Sequence, residues 1–386
     1  MSMTVARIRG IRIKIHYTFI IIFVMVTWSL SAYLIPTLIP GLGFAVNLYI
    51  AITGAAVLFS SVILHELAHS IMAIRYGIKV RQIVLFIFGG VSDIEEETKE
   101  FQKEFKIAVV GPLTSFVLAG IFSLVSFIVE NILGNNISTV WQAIDVVLYY
   151  GAAANIMLGA FNLIPAFPLD GGRILRAILV KRKRDFEAAT RTVVRISVLI
   201  SYALMGFGFL AMIITRTFIG GLWILLIGWF LNAGAHSYMR QRELGSILSV
   251  VTLRQIMNTN MIGVKNGTNL YDVFTKYFGV YMKTAFPVID DFGYVTGIIT
   301  LDVARAIPEH KRMYTTVDDI MIPRNEMIVM DANDNAEEAL NKMALRKMNI
   351  LFISNEDGNI AGLVTKTDIL NIAAERKKYF DDLKQE

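Results

Sequence analysis

The chain has 386 residues, enough for about two domains, and only 18% of them are charged against 55% hydrophobic. Soluble domains carry about 25% charged residues, so much of this chain is expected to face lipid. The lack of cysteine excludes disulfides and thiolate metal sites, and the net charge of +5 sits beside apolar stretches, where anchoring at a membrane explains it better than nucleic acid does.

A helix crosses the hydrocarbon core with about 20 apolar residues. In chain order, the stretches 17–36, 46–74, 106–129, 142–166, 193–214 and 218–238 qualify or nearly so. The first lacks a small-residue cleavage site and is followed by further spans, so it does not read as a cleavable signal peptide. Pro165 and Pro168 are expected to end the fourth helix, freeing backbone groups that must be satisfied inside the protein.

Loop charges alternate along these spans. Arg7, Arg9, Arg12 and Lys14 precede the first. Arg75, Lys79, Arg81, Lys99, Lys103 and Lys106 lie between the second and third, and Lys181–Arg184, Arg191 and Arg195 between the fourth and fifth. The segments 36–45 and 130–141 have no Lys or Arg, and 215–217 has Arg216 alone. By the positive-inside rule both termini are expected in the cytoplasm, as an even number of spans requires. The acidic run Glu95–Glu97 reads as a solvated loop, and His16, His236 and His310 as interfacial or solvated.

The second stretch holds His65-Glu66-Leu67-Ala68-His69. On a helix the histidines, at i and i+4, share one face about 6 Å apart, so both imidazoles can reach one metal ion. Glu66 projects beside them, where a carboxylate can take a proton from an activated water. Ionisable groups at membrane depth are expensive and usually functional. Two histidines leave a catalytic zinc one protein ligand short.

Asp170 is the candidate third ligand, set behind Pro165 and Pro168 in the run Asn162-Leu163-Ile164-Pro165-Ala166-Phe167-Pro168-Leu169-Asp170-Gly171-Gly172. The second and fourth helices both run outside to inside, so their late residues share a depth. His69 lies roughly 10 Å of helix before Tyr76, and Asp170 a comparable distance before Lys181. A polar cap at the interface is the plainer use of this aspartate.

These motifs resemble the site-2 protease family of intramembrane metalloproteases, over about residues 8–240. His65-Glu66-Leu67-Ala68-His69 matches the family's HExxH, and Phe161-Asn162-Leu163-Ile164-Pro165 with Pro168-Leu169-Asp170-Gly171-Gly172 matches its second segment. Phe88-Gly89-Gly90 and Gly111-Pro112 look like its membrane-associated loop and third-helix start. The resemblance implies one Zn2+ held by His65, His69 and Asp170, Glu66 as catalytic acid/base, and Asn162 assisting by hydrogen bonding. It also implies that Val80–Val91 offers a strand edge to a locally unwound substrate, although ordinary membrane-dipping packing would use the same residues. Ala68 stands where many members have Gly, and is small enough for close packing.

From about Leu253 charges increase and no stretch is long enough to span. A segment from near Gln255 repeats from near Asp319, each copy with a turn before its last strand, at Asp290-Asp291-Phe292-Gly293 and Asn355-Glu356-Asp357-Gly358. This tandem resembles a pair of CBS motifs (a Bateman module). The resemblance implies a nucleotide site at Thr365 and Asp368 in the second copy, for ATP or another adenine nucleotide. In the first copy Thr300 is followed by Asp302, one position early. The other use of such a pair is as a dimerisation module that binds no nucleotide.

The expected architecture is an α-helical polytopic membrane domain of about six transmembrane helices over 1–245, followed by a cytoplasmic α/β tandem CBS module with copies at 250–312 and 316–376. The expected function is an intramembrane zinc metalloendopeptidase of the cell membrane, acting on a transmembrane protein substrate within the bilayer. A homodimer through the CBS module is a further expected partner, and nucleic acid is not. The competing reading is a CBS-gated ion transporter with a buried His/Asp site. It has no need for Glu66 beside the two histidines.

Overall fold

The computed structural model of the chain describes residues 2–87, 89–94, 98, 100–133, 139–215, 218–346, 348–355 and 358–382. The expectations for Phe88, Glu95–Glu97, Lys99, Arg216, Glu356 and Asp357 lie outside these residues. The chain divides into two compact units, Met1–Met239 and Arg240–Glu386.

The first unit opens with a hairpin that the charge reading did not foresee, β1 (Ser2–Ile8) and β2 (Ile11–His16). Ile11-Arg12-Ile13-Lys14 alternates with the period of a strand, which buries Ile11 and Ile13 and leaves Arg12 exposed. Two further strands, β3 (Val80–Phe86) and β4 (Gly89–Ile94), complete a four-stranded sheet in the order β1-β2-β3-β4. β2 and β3 are parallel and the outer pairs antiparallel. β3 is therefore interior, and among the described residues β4 is the edge strand on this side of the sheet.

Among the described residues, five helices are long and apolar enough to cross a membrane. They are α1 (Phe19–Leu38), α2 (Phe44–Arg75), and the spans Phe101–Ile132, Val140–Asn162 and Phe186–Ile214. The last three belong to α3 (Phe101–Leu133), α4 (Thr139–Asn162) and α6 (Phe186–Thr215). Between α4 and α6 lies α5 (Asp170–Lys183). The stretch expected as a sixth span opens α7 (Phe218–Ser249), which is not among the five.

α2 stops at Gly77, whose φ of 77° suits a residue without Cβ, and the chain turns there toward β3. α6 and α7 approach through glycine. A Cβ on Gly208 would lie 2.7 Å from Leu225 N, and one on Gly228 2.8 Å from Ser201 O. Asn155, fully buried in α4, donates to Ser61 Oγ of α2 at 2.9 Å and so faces protein, not lipid.

The second unit holds two copies of one pattern. In one, β5 (Val264–Lys265) pairs parallel with β6 (Ala285–Ile289), which pairs antiparallel with β7 (Val295–Thr300). A short strand, β8 (Ile322–Pro323), closes that sheet. In the other, β9 (Val329–Asp331), β10 (Ile350–Ser354) and β11 (Ile360–Thr365) repeat the parallel and antiparallel pairings. The register breaks at Val288/Ile289 in the first copy and at Ile353/Ser354 in the second, the same place in the repeat. Gly293 and Gly358, with φ of 86° and 77°, occupy the equivalent turns. The terminal helices of the copies are α8 (Leu301–Arg305) and α9 (Lys366–Asp382).

Candidate metal centre

α2 places His65 and His69 one turn apart, each 3% exposed. α3 crosses behind them and orients both rings. His69 Nδ1 lies 2.6 Å from the Ile107 carbonyl oxygen, and His65 Nδ1 lies 2.9 Å from Ser115 Oγ. A carbonyl only accepts, so His69 Nδ1 carries the proton and Nε2 presents a lone pair. The helices touch at Gly111, where a Cβ would stand 2.0 Å from His69 Nε2 and 2.7 Å from His65 Nε2. No side chain fits there.

The third donor arrives on a different element. α4 ends at Asn162, and residues 163–169 carry the two prolines into α5, whose first residue is Asp170. Gly171 and Gly172 let α5 start hard against this turn. A Cβ on Gly171 would lie 2.2 Å from Ile164 O, and one on Gly172 2.7 Å from Phe167 N. Phe167 N donates to Ser197 Oγ of α6 at 2.8 Å, which fixes the turn from the other side.

Asp170 Oδ2 then stands 3.1 Å from His65 Nε2 and 3.0 Å from His69 Nε2, and the two nitrogens are 3.2 Å apart. Among the described residues this is the group of His, Asp or Glu side chains whose donor atoms converge tightly enough for one ion. Ligand atoms around tetrahedral zinc with bonds of about 2.0–2.2 Å stand roughly 3.3–3.6 Å apart, within a few tenths of an ångström of this triangle. The lone pair of His69 Nε2 faces a carboxylate oxygen across a buried gap, an arrangement that a cation between them relieves. The donor set fits zinc.

Glu66, half-buried beside the triad, accepts from Ser92 Oγ of β4 through Oε2 at 2.7 Å. A Cβ on Gly90 would lie 2.6 Å from Glu66 Cγ, so β4 runs directly along this side chain. Asn162 is not drawn to the triad, since its amide donates back to Leu158 O at 2.9 Å.

The nucleotide candidates lie in the other unit. Thr365 and Asp368 bond each other, with Thr365 Oγ1 to Asp368 Oδ2 at 2.7 Å and Asp368 N to Thr365 Oγ1 at 3.2 Å, the capping box of α9. Thr300 caps α8 through Val303 N at 3.4 Å. His236 and His310 are exposed, and His16 Nδ1 lies 2.8 Å from Thr18 Oγ1.

Sequence reasoning missed Ser92, Ser115 and the Ile107 carbonyl, which have no motif of their own. It also missed Arg176 of α5, fully buried with its Nε donating to Glu104 Oε1 of α3 at 2.8 Å. The cost of burying an isolated charge in an amphipathic helix cannot be read before the helix has neighbours.

Residues 53–204 match the family model described as peptidase family M50, and residues 253–304 and 317–375 match the CBS domain. The zinc metalloprotease MJ0392 of Methanocaldococcus jannaschii is 32% identical over 375 residues, 96% of this chain and 95% of its own. Rip3 of Mycobacterium tuberculosis strain H37Rv is 29% identical over 371 residues, 96% of this chain and 92% of its own. Among solved structures, the site-2 protease from Methanocaldococcus jannaschii is 33% identical, with 61% of this chain and 94% of that one covered and a TM-score of 0.41. The CBS domain of a bacterial CNNM/CorC family Mg2+ transporter in complex with ATP is 21% identical over 35% of this chain and 97% of that one, with a TM-score of 0.31.

Proposed function

Since this chain belongs to peptidase family M50, the site-2 proteases, and carries a tandem CBS pair, we propose that it is an intramembrane zinc endopeptidase cutting transmembrane protein substrates in regulated proteolysis. Metalloprotease chemistry and a multi-pass membrane location come with that membership. One observation carries the residue-level reading: three buried donor atoms from His65, His69 and Asp170 lie within 3.2 Å of one another, beside Glu66.

His65 Nε2, His69 Nε2 and Asp170 Oδ2 would hold the zinc, whose chemistry there is Lewis acidity toward a water and a peptide carbonyl. Glu66 takes the proton of the attacking water and returns it to the leaving amine, so the water oxygen joins the carbonyl carbon as the C–N bond breaks. The Ser92 hydroxyl holds Glu66 Oε2 in place for both transfers. Asn162, at the end of α4, would turn its amide from Leu158 O toward the substrate.

A transmembrane helix hides its carbonyls in its own hydrogen bonds and must unwind to be cut. The free edge of β4 is suited to hold the unwound strand, about 4.8 Å from its own backbone. Gly90 and Ser92 place that edge against Glu66. Both termini are assigned to the cytoplasm on loop charge, and the protein to the cell membrane. The tail is assigned an adenine nucleotide at Thr365 and Asp368 and a second copy of the chain as partner. No nucleic-acid partner is assigned.

The test is incubation of purified wild type and Glu66→Gln with model transmembrane substrates, with and without a chelator. Cleavage by wild type alone, lost on chelation, is the expected result, with zinc still bound by Glu66→Gln. Products that survive both treatments would remove the reading. An ion transporter would instead lose flux or ion affinity on the same substitution.

A further inference from the structure

Arg176 is the bulkiest of the fully buried side chains, and its partner Glu104 is 1% exposed. The guanidinium meets Glu104 Oε1 through Nε, at 2.8 Å, and through Nη2, while Nη1 donates to the Tyr238 hydroxyl of α7. Its central carbon lies 4.7 Å from the ring centre of Phe186, 5.3 Å from that of Phe167 and 5.4 Å from that of Tyr238. Phe167, in the turn before Asp170, stacks on Tyr238 at 4.3 Å.

For stability alone a buried ion pair is a poor choice, since apolar residues of similar volume usually serve as well or better. A directional pair fixes register, and the register here is that of the metal site. Glu104, Ile107, Gly111 and Ser115 follow one another at three, four and four residues, so they line one face of α3. Ile107 and Ser115 orient the imidazoles, and Gly111 touches both. On α5, Arg176 lies six residues, about 9 Å, from Asp170. A slip of one residue between these helices would move Oδ2 by roughly 1.5 Å, whereas coordination distances tolerate about 0.2 Å.

We propose that the Arg176–Glu104 pair is a positioning device that locks α5 onto α3 and so sets the reach of Asp170 to the two imidazoles. The inference rests on the zinc reading above. Neither residue belongs to the donor triad of His65, His69 and Asp170.

The test uses the full chain in detergent with the double substitution Arg176→Met and Glu104→Leu. Zinc affinity is measured by chelator competition, Co2+ uptake by visible absorption, and folding by thermal unfolding of the metal-free protein. The expected result is a folded protein whose zinc affinity falls about 10–100-fold and whose Co2+ absorption weakens. Wild-type affinity and absorption in a folded double variant would overturn the positioning role. If the double variant does not fold, Arg176→Lys decides, because lysine keeps the charge but loses the planar fork and the ring stacking. Reduced zinc affinity in that variant supports the role, and unchanged affinity overturns it. A wild-type chain that takes up no zinc removes the metal reading itself, an outcome distinct from either.

Discussion

His69 shows how much of the centre depends on an atom with no side-chain identity. Its Nδ1 proton goes to the Ile107 carbonyl, and that single hydrogen bond turns Nε2 toward Asp170. Gly111 works at the same scale by having no side chain. Gly111→Ala would place a methyl group 2.0 Å from His69 Nε2, so one imidazole must leave the triangle. A loss of zinc affinity of about 100-fold or more is expected, read by chelator competition, with the helices still formed. Wild-type affinity in this variant would mean that the imidazoles do not converge as described. The pentapeptide from His65 to His69 says nothing of this, because the contact is with a helix some forty residues away.

At the scale of elements, β4 joins two tasks. It is the sheet edge that could receive substrate, and its Gly90 and Ser92 border Glu66. Gly90→Ala would bring a Cβ within 2.6 Å of Glu66 Cγ, and the flexible carboxylate would swing aside while the histidines stay. Cleavage is expected to slow by roughly 100-fold at unchanged zinc content, the scale on which proton transfer by a positioned side chain contributes. An equal loss of zinc would contradict the separation of these roles. The α4–α5 turn makes the complementary point. Its prolines foretell a break in the helix, but that α5 then begins with Asp170 aimed at α2 follows from the packing of Gly171 and Gly172 on the turn.

Two predictions belong to the whole molecule. The chain has no cysteine, so single cysteines give topology against no background. In sealed right-side-out vesicles, Pro40→Cys is expected to react with an impermeant maleimide, whereas Lys79→Cys reacts only after lysis. The reverse pattern would invert the orientation drawn from loop charge. In the tail, Asp368→Ala removes the capping box of α9, at a cost of about 1 kcal/mol in the unfolding of that unit. ATP is expected to alter the cleavage rate of the wild type and not of this variant. An ATP response unchanged by Asp368→Ala would move the nucleotide away from Thr365 and Asp368.

Periodicity and composition carried the long apolar helices, the fourth-helix break, the repeat and the paired histidines, because each depends on residues close together in the chain. The alternation Ile11-Arg12-Ile13-Lys14 was equally local, yet its charges read as membrane anchoring and hid a strand. The meeting of Asp170 with imidazoles more than a hundred residues earlier was suggested by shared depth, but its 3.0 and 3.1 Å contacts come from helix packing. Packing alone also chose Ser92 for Glu66, Ile107 for His69, and Glu104 for Arg176. Local sequence sets which face of a helix a side chain occupies, whereas its partner is set by the neighbouring helix, through the volume and hydrogen bonds of both.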